Sequence, residues 1–294
     1  MYRAPAPHVV VGRTAHESTG SGEAAGLSEF NDHFSAHADA YAAHRPTYPA
    51  ALVDYLAELA PRADVAWEAG CGSGQLSMAL AWRFDRVIAT DASAEQLARA
   101  TPHARIEYRR ARAEDSGLPA AAGGRHAGGV DLAVAAQAAH WFDIEGYYAE
   151  VRRVAAPDAA VALVSYGPTR IAPEIDPLVE EFRVDVLAPY WAAERRHVED
   201  GYASLPFPFA EQAPPELEMR AEWTLAGLLA YMRTWSALRA LEPERVDELL
   251  GDLRRRLAPR WGAGGAGAAD AAGAGTRRIV AWPLSVRAGY VTPD

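Results

Sequence analysis

Residues 65–75 read Val-Ala-Trp-Glu-Ala-Gly-Cys-Gly-Ser-Gly-Gln, a short apolar run that breaks into alternating glycines and then enters a helical pattern. Gly70, Gly72 and Gly74 allow positive φ angles and leave no Cβ between the backbone and a ligand. A cofactor can therefore lie against the main chain where a strand becomes a helix. The stretch predicts a strand, a tight loop and a helix that together hold a nucleotide-like ligand.

The spacing of these glycines excludes the two common phosphate-binding loops. A dinucleotide site has the order G-x-G-x-x-G and a P-loop ends in Gly-Lys-Ser/Thr, whereas this loop is G-x-G-x-G and no lysine follows it. Glu68, two residues before the first glycine, would repel a phosphate and attract an amine. We therefore expect a cationic nucleoside without phosphate groups.

The segment from Glu68 to Gly74 resembles the first motif of the class I S-adenosylmethionine-dependent methyltransferases, which have Asp or Glu at the position of Glu68. Asp91 ends the next apolar run, 17 residues after the last glycine (91 minus 74), near the spacing expected for a carboxylate that binds ribose hydroxyls. Either signal alone is also explained by an ordinary tight turn or an ordinary helix N-cap. Together they favour S-adenosyl-L-methionine as the cofactor.

The resemblance implies a set of cofactor-binding residues. Glu68 is expected near the amino end of the methionine moiety, and Gly70 and Gly72 beneath the nucleoside. Gln75 either reaches the amino acid moiety or lies on a helix surface, and Glu114 either contacts the adenine edge or caps a helix. The full predicted set is Tyr41, Glu68, Gly70, Cys71, Gly72, Gly74, Gln75, Asp91, Ala92, Gln96, Ala113, Glu114 and Gln137.

A second informative stretch ends the fourth predicted strand. Residues 135–143 read Ala-Ala-Gln-Ala-Ala-His-Trp-Phe-Asp and resemble a block of the methyltransferases related to trans-aconitate methyltransferase. The resemblance implies that Gln137 lies beside the transferred methyl group, with His140 and Trp141 close behind. His140 either takes a proton from a substrate hydroxyl or amine, or only bonds a backbone carbonyl and orients the loop. The predicted catalytic residues are His140, Gln137 and Tyr41.

The segment at residues 41–49, Tyr-Ala-Ala-His-Arg-Pro-Thr-Tyr-Pro, matches the Tyr-Ala-x-x-Arg-Pro-x-Tyr-Pro pattern of the same family and is expected to form a lid. A tyrosine face attracts a sulfonium cation, so Tyr41 is the first choice for this contact and Tyr48 the second. Both tyrosines are alternatively explained by packing of the lid on the sheet. Three histidines nearby lack the cysteine or carboxylate partners of a metal site, and we expect no metal.

An insertion rich in proline and aromatic residues follows the fifth predicted strand, from Gly167 to about Pro215. We expect this insertion to form a cap over the active site. An arginine in the cap would suit a carboxylate substrate through bidentate hydrogen bonds. Trp235 either lines the pocket or belongs to the core. The predicted substrate-binding residues are Trp141, Tyr166, Arg170, Trp191 and Trp235.

Strands and helices alternate along the rest of the chain, which is typical of an α/β fold with a parallel sheet and crossover helices. The predicted strands cover residues 65–67, 87–90, 106–109, 130–136, 159–166, 216–223 and 276–282. The resemblance implies a Rossmann-like, seven-stranded, mostly parallel sheet flanked by helices. The expected domains are a disordered leader at 1–26, N-terminal lid helices at 27–64, and a cofactor-binding domain at 65–294 whose cap, about 167–215, lies between strands five and six.

The composition limits the partners and the location. The formal net charge of −10 argues against nucleic acid or an anionic membrane as partner, so a small molecule is the expected substrate. No apolar stretch approaches the ~20 residues that span a bilayer, and no secretory signal begins the sequence, which predicts a cytoplasmic protein. We expect this protein to be a monomer or a homodimer. Cys71 is the only cysteine, so no intrachain disulfide is possible, and beside Glu68 it is expected to pack rather than react.

The sequence therefore predicts methyl transfer from S-adenosylmethionine to an oxygen, nitrogen or carboxylate of a small molecule. The lysine-free, alanine- and arginine-rich composition favours a biosynthetic role in the specialised metabolism of a high-GC bacterium. One alternative uses the cofactor without transferring its methyl group, through internal cyclisation that releases methylthioadenosine or through a cofactor-assisted rearrangement. A second alternative is a catalytically silent scaffold, against which the intact Glu68, Asp91 and glycine loop argue.

Overall fold

Eight strands form one mixed sheet in the order β3-β2-β1-β4-β5-β8-β6, and β7 pairs with one half of β8. The structure is a computed structural model that describes residues 46–121, 129–263 and 275–291. The strands are β1 (Val65–Ala69), β2 (Arg86–Asp91), β3 (Ile106–Arg110), β4 (Val130–Ala136), β5 (Ala155–Tyr166), β6 (Ala210–Gln212), β7 (Glu218–Thr224) and β8 (Arg277–Tyr290).

Helices cover both faces of this sheet and build the segment between β5 and β6. They are α1 (Ala50–Leu59), α2 (Gln75–Leu80), α3 (Ala94–Leu97), α4 (Ile144–Val154), α5 (Asp176–Glu181), α6 (Arg196–Glu199), α7 (Leu225–Arg233), α8 (Ser236–Arg239) and α9 (Pro243–Ala263). A π turn at Phe182–Val186 continues α5, and short 3-10 helices cover Ala139–Trp141, Ala188–Tyr190 and Ala193–Arg195. Among the described residues, no helix is both long and apolar enough to cross a membrane.

The first five strands pair in parallel, as the alternation of strands and helices predicts. Such a sheet is buried on both faces, and all seven residues of β4 are buried. Successive side chains point to opposite faces: Trp67 packs with Tyr147 beneath α4, whereas Ala66 packs with Leu52 and Leu80 beneath α1 and α2. The apolar runs of the sequence are therefore explained by two separate clusters, one on each face.

The carboxyl ends of β1 and β4 lie side by side at the point where the strand order reverses. Parallel α/β sheets bind their ligands in the crevice at such a switch point. The glycine loop follows β1, Asp91 ends β2, and residues 137–143 follow β4. The fold thus brings the two informative stretches of the sequence to one edge of the sheet.

The reversed end of the sheet differs from the seven-stranded prediction. The additional strand, β6, pairs antiparallel with β8. β8 also continues to Tyr290, whereas the sequence pattern ended the strand at Trp282 because proline is disfavoured inside a sheet. Pro283 lies where β8 changes partner, from β7 on one side of it to β5 on the other, so few ladder bonds are lost. The predicted α/β architecture is otherwise confirmed.

The N-terminal expectations fall largely outside the described residues. The predicted leader at 1–26 lies there entirely, as does Tyr41, and of the predicted lid only residues 46–64 are described. Within that part, α1 begins after Pro49 and ends before Pro61. Tyr48 is half-buried and packs against two of the apolar clusters. All the described residues belong to one compact unit.

Candidate cofactor and acceptor site

The three glycines of the loop have positive φ angles of 68°, 55° and 83°. A Cβ on Gly70 would lie 2.5 Å from the Cβ of Ala138, and one on Gly74 would lie 2.3 Å from the Tyr108 hydroxyl. A Cβ on Gly72 would meet no described atom within 4 Å. The outer glycines are therefore required by the protein's own packing, while the middle glycine borders open space in which a ligand can approach the backbone.

Hydrogen bonds join the glycine loop to the end of β2. Asp91 accepts the backbone N–H of Gly72 at 2.8 Å with one carboxylate oxygen and that of Ser93 at 2.8 Å with the other. The Cys71 N–H donates to the Thr90 carbonyl at 3.0 Å. The carboxylate that the sequence assigned to a ribose is thus also the group that fixes the loop.

Glu68 lies beneath the loop rather than in its mouth. Its side chain is 2% exposed and accepts a hydrogen bond from the Ser77 hydroxyl of α2. Burial raises the pKa of Glu68 to about 8, and the charge of nearby Asp91 acts in the same direction. The Cys71 thiol is also buried, and its burial, followed by the charge of Glu68, raises its pKa. These contacts favour the packing role expected for Cys71, and they place an acidic group below the loop.

Three other predicted cofactor residues surround the same edge. Gln75 is half-buried at the first position of α2, and the half-buried Ala92 offers its carbonyl to Arg110 Nε at 3.1 Å. Gln96 is buried, and its backbone N–H donates to the Ser93 hydroxyl that caps α3. The structure brings these residues to the ends of β1 and β2, as the sequence predicts.

Glu114 connects the loops that follow β3 and β4. One carboxylate oxygen accepts the backbone N–H of Asp143 at 2.9 Å, and the other accepts Arg112 Nε at 3.1 Å. Asp143 is the N-cap of α4 and accepts the N–H of Gly146. Glu114 therefore supports a helix N-terminus, which is the structural alternative that the sequence left open, and Ala113 beside it is buried.

Gln137 ends β4 in an unusual conformation. Its φ angle is 54°, although it is not a glycine. Its Nε2 donates to the carbonyl of Tyr166 at 3.2 Å and its N–H to that of Val164 at 2.8 Å. Its Oε1 is buried, and no described residue donates to it. Backbone strain and an unsatisfied buried oxygen at one residue are typical of a functional position.

His140 lies one turn further, in the 3-10 helix that follows β4. Its Nδ1 is 3.0 Å from the hydroxyl of Tyr202, whereas one of the two alternatives from the sequence placed a backbone carbonyl there. Burial, with smaller contributions from Arg195 and His197, lowers the pKa of His140 to about 3. The imidazole is therefore neutral at physiological pH and a poor base.

A cavity extends from Gln137 to the segment between β5 and β6. Five of the predicted residues line it, namely Gln137, His140, Trp141, Tyr166 and Trp235. Trp191 lies against Trp235 with ring centroids 5.8 Å apart, and Arg170 is exposed and pairs through its backbone with Ala281 of β8. The structure thus brings most of the predicted acceptor residues together but does not bring Arg170 to the cavity.

Several lining residues were missed from the sequence. Arg183 is 9% exposed and pairs with Glu180 at 2.6 Å and with Glu199. Arg195, one of the arginines of the insertion that could shape the pocket or lie on a solvated helix face, lies 4.1 Å above the ring of Trp191 and pairs with Glu199 at 2.8 Å. Thr169 is 8% exposed, and no described residue is hydrogen-bonded to its Oγ1. No local pattern marks these residues, because they reach the cavity only through the fold of the insertion. The other lining residues not predicted are Gly167, Pro168, Val179, Val198, Tyr231, Ser236 and Arg239.

A mixed sheet of this order, with a glycine loop after its first strand and an acidic residue ending its second, defines a class I methyltransferase. A family model described as a methyltransferase domain matches residues 67–163. The chain is 42% identical to a "putative type II methyltransferase" from Anaeromyxobacter dehalogenans, with a TM-score of 0.74 and coverage of 85% of this chain and 99% of that one.

A curated relative leads to the same class. The chain is 28% identical over 234 residues to a "putative methyltransferase" from Dictyostelium discoideum, covering 78% of this chain and 86% of the relative. The protein belongs to the class I S-adenosylmethionine-dependent methyltransferases.

Proposed function

We propose that the protein transfers the methyl group of S-adenosylmethionine to a small anionic molecule held in the cavity beside Gln137. The observation that carries this proposal is the position of Gln137 itself. It ends β4 next to the glycine loop, it lines the cavity, and its buried Oε1 has no donor among the described residues. A group at this boundary can contact both the cofactor and the acceptor.

The residues at the ends of β1 and β2 fit the cofactor. The open space above Gly72 admits a nucleoside against the backbone, and Asp91 lies beside this space because it accepts the Gly72 N–H. A cationic ligand near the loop would lower the raised pKa of Glu68 and favour its ionised form. When bound, the cofactor supplies a methyl group already activated by the sulfonium. The protein's own work is then to position the acceptor and to exclude water.

The arginines of the cavity favour an anionic acceptor. Arg183, Arg195 and Arg239 line it, and none of its described lining residues is Asp or Glu, while Glu180 and Glu199, which are not lining residues, pair with Arg183 and Arg195. Guanidinium groups bind carboxylates with charge-assisted hydrogen bonds. A carboxylate also needs no deprotonation before it attacks a methyl group, which agrees with the low pKa of His140. We therefore propose carboxylate O-methylation in small-molecule biosynthesis.

The proposal is tested with radiolabelled S-adenosylmethionine and a panel of carboxylic acids, each paired with its primary amide and its alcohol. We expect labelled methyl esters and S-adenosylhomocysteine from acids only. Release of methylthioadenosine would indicate cyclisation of the cofactor instead. Transfer to the alcohols or amides with none to the acids would refute the proposed acceptor class. Absence of cofactor binding by calorimetry would refute the proposed site.

A pair of arginine variants locates the acceptor. Arg195→Met removes a guanidinium that lines the cavity, and we expect KM for the acid to rise about tenfold while cofactor affinity stays constant. Arg256→Met is the matched control, since Arg256 pairs with Glu181 at an exposed position away from the cavity. Equal kinetic effects of the two variants would show that the cavity arginines do not bind the acceptor.

A further inference from the structure

Tyr202 is the buried partner of His140, and hydrogen bonds of its backbone fix its position. It has no exposed surface, and its φ angle of 67° follows one of 65° at Gly201. Its N–H donates to the His197 carbonyl at 2.7 Å, and its carbonyl accepts Arg287 Nη1 of β8 at 3.0 Å. A turn of two consecutive left-handed residues, tied to a strand of the sheet, fixes the phenol in place.

The hydrogen bond of the phenol determines which nitrogen of His140 carries the proton. Among the described residues, the phenol oxygen has one hydrogen-bond partner, Nδ1 of His140 at 3.0 Å. If Nδ1 carried the proton, the buried O–H of Tyr202 would have no acceptor there, so the O–H of Tyr202 donates to Nδ1. A neutral imidazole that accepts at Nδ1 has its proton on Nε2.

The proton on Nε2 is the one that a molecule in the cavity can meet. His140 lines the cavity whereas Tyr202 does not, and Tyr202 occupies Nδ1, so Nε2 is the ring nitrogen left for a ligand there. The charged or titratable groups that face His140 are Arg195 and His197 from the segment between β5 and β6, with the buried Tyr202 behind it. Arg195 and His197 both lower the pKa of His140, so neither favours a second proton on the ring.

We infer that Tyr202 is a positioning residue that holds His140 as the neutral tautomer with its proton on Nε2, so that His140 donates a hydrogen bond to the acceptor instead of taking a proton from it. The inference rests on the proposed function only for the identity of the acceptor. An Nε2–H donor complements an acceptor oxygen that carries negative charge. It cannot serve as a base, because its one lone pair is engaged by Tyr202.

The tautomer is measured on the full chain, labelled with ¹⁵N-histidine, by two-bond proton–nitrogen correlation spectra. His140 is assigned from the signals lost in His140→Gln. We expect a protonated Nε2 and an unprotonated Nδ1, unchanged between pH 5 and pH 8. In Tyr202→Phe the Nδ1 acceptor loses its donor, so we expect a different tautomer pattern. A wild-type His140 that is protonated on Nδ1, or that titrates in this pH range, would overturn the inference.

Tyr148→Phe is the matched control for damage to packing. Tyr148 belongs to the same buried cluster, and its hydroxyl donates to the Pro206 carbonyl at 2.8 Å, but it does not line the cavity. The His140 signals should be unchanged in this variant. If they change as in Tyr202→Phe, the effect is one of packing and the positioning role of Tyr202 is wrong.

Kinetics with an acid found to be methylated give an independent readout. Tyr202→Phe and His140→Leu should each raise KM for the acid by about tenfold, with cofactor affinity unchanged. Each variant loses the hydrogen bond that Nε2–H of His140 would donate to the acceptor. His140→Gln retains an N–H donor and should lie near the wild type, whereas a general base would not be replaced by an amide. If no acid is methylated but the tautomer is as expected, the proposed function fails and the inference about Tyr202 stands.

Discussion

The two halves of the site are built by contacts of very different length along the chain. In the cofactor half, Glu68 bonds Ser77 nine residues away, and Gly72 bonds Asp91 nineteen residues away. In the acceptor half, His140 bonds a tyrosine 62 residues away, which a strand residue 85 positions further on holds in turn. Local contacts leave a local sequence pattern, whereas long-range contacts leave none. The cofactor could therefore be inferred from the sequence, while the acceptor pocket needed the fold.

The largest effect is predicted for a substitution of Gly70, in the glycine loop of the cofactor half. In Gly70→Ala the new Cβ would lie 2.5 Å from the Cβ of Ala138, on a backbone with a φ of 68°. The strained φ angle and the overpacking together should cost about 3 kcal/mol of unfolding free energy. Urea denaturation measures this loss, and calorimetry should show that cofactor binding is lost with it.

Gly117→Ala separates the two causes. Gly117 also has a positive φ, of 64°, but a Cβ there would meet no described atom within 4 Å. In this variant the strained φ angle alone should lower the unfolding free energy, by about 1 kcal/mol. If Gly70→Ala is no more destabilised than this control, the close contact between the loops after β1 and β4 is not a constraint on the fold.

The second prediction tests how far the acceptor half depends on one long-range link. Arg287 donates to the carbonyls of Tyr202 and Leu205 and forms a two-bond ion pair with Glu211. Arg287→Met should cost about 2 kcal/mol of unfolding free energy, after allowance for the exposure of Glu211. The turnover of an accepted acid should fall, while cofactor affinity measured by calorimetry should stay constant.

The control for this variant is Arg220→Met, because Arg220 pairs with Glu218 at an exposed position on β7. Its stability should stay within about 0.5 kcal/mol of the wild type. A fall in cofactor affinity in Arg287→Met equal to the fall in turnover would mean that the two halves are not independent.

These contrasts explain what the sequence could predict. The glycine spacing and the alternation of strands and helices predicted the sheet through β5, and α4 begins at the N-cap Asp143, which ends the second informative stretch of the sequence. β6 was missed because three residues, Ala210–Gln212, form a strand only by pairing with β8. Gln137 and His140 were predicted from a local resemblance. Tyr202 and Arg183 were not, since each acts on a residue far away in the sequence.

The third prediction concerns the pH dependence of stability through Glu68. Its pKa is raised to about 8 in the folded protein, from an ordinary value near 4.5, because it is buried. Between pH 4.5 and pH 8 the folded state binds the Glu68 proton more tightly than the unfolded state does. The resulting stabilisation of the folded state is therefore fully present below pH 4.5 and is lost as pH rises through 8. Its slope should be up to about 1 kcal/mol per pH unit.

Glu68→Gln removes the titration while keeping a partner for Ser77. Unfolding free energies from urea titrations at pH 5.5, 6.5 and 7.5 should fall with pH in the wild type and fall less steeply in the variant. The difference between the two slopes isolates Glu68 from other groups that titrate in this range. Equal slopes would show that Glu68 is ionised throughout and that the loop lies over a fixed negative charge.

The smallest effect is expected at Thr169 in the acceptor half. Its buried hydroxyl should lower the stability of the free protein and contribute to acceptor binding. Its Oγ1 is buried in the cavity wall, and no described residue is hydrogen-bonded to it. Thr169→Val replaces this hydroxyl by a methyl group of the same shape, so the free protein should gain up to about 1 kcal/mol of unfolding free energy. KM for an accepted acid should rise several-fold, on the order of one hydrogen bond. A variant that loses both stability and acceptor affinity would show that the hydroxyl already has a partner in the free protein, and that the cavity wall was not arranged for a ligand at this position.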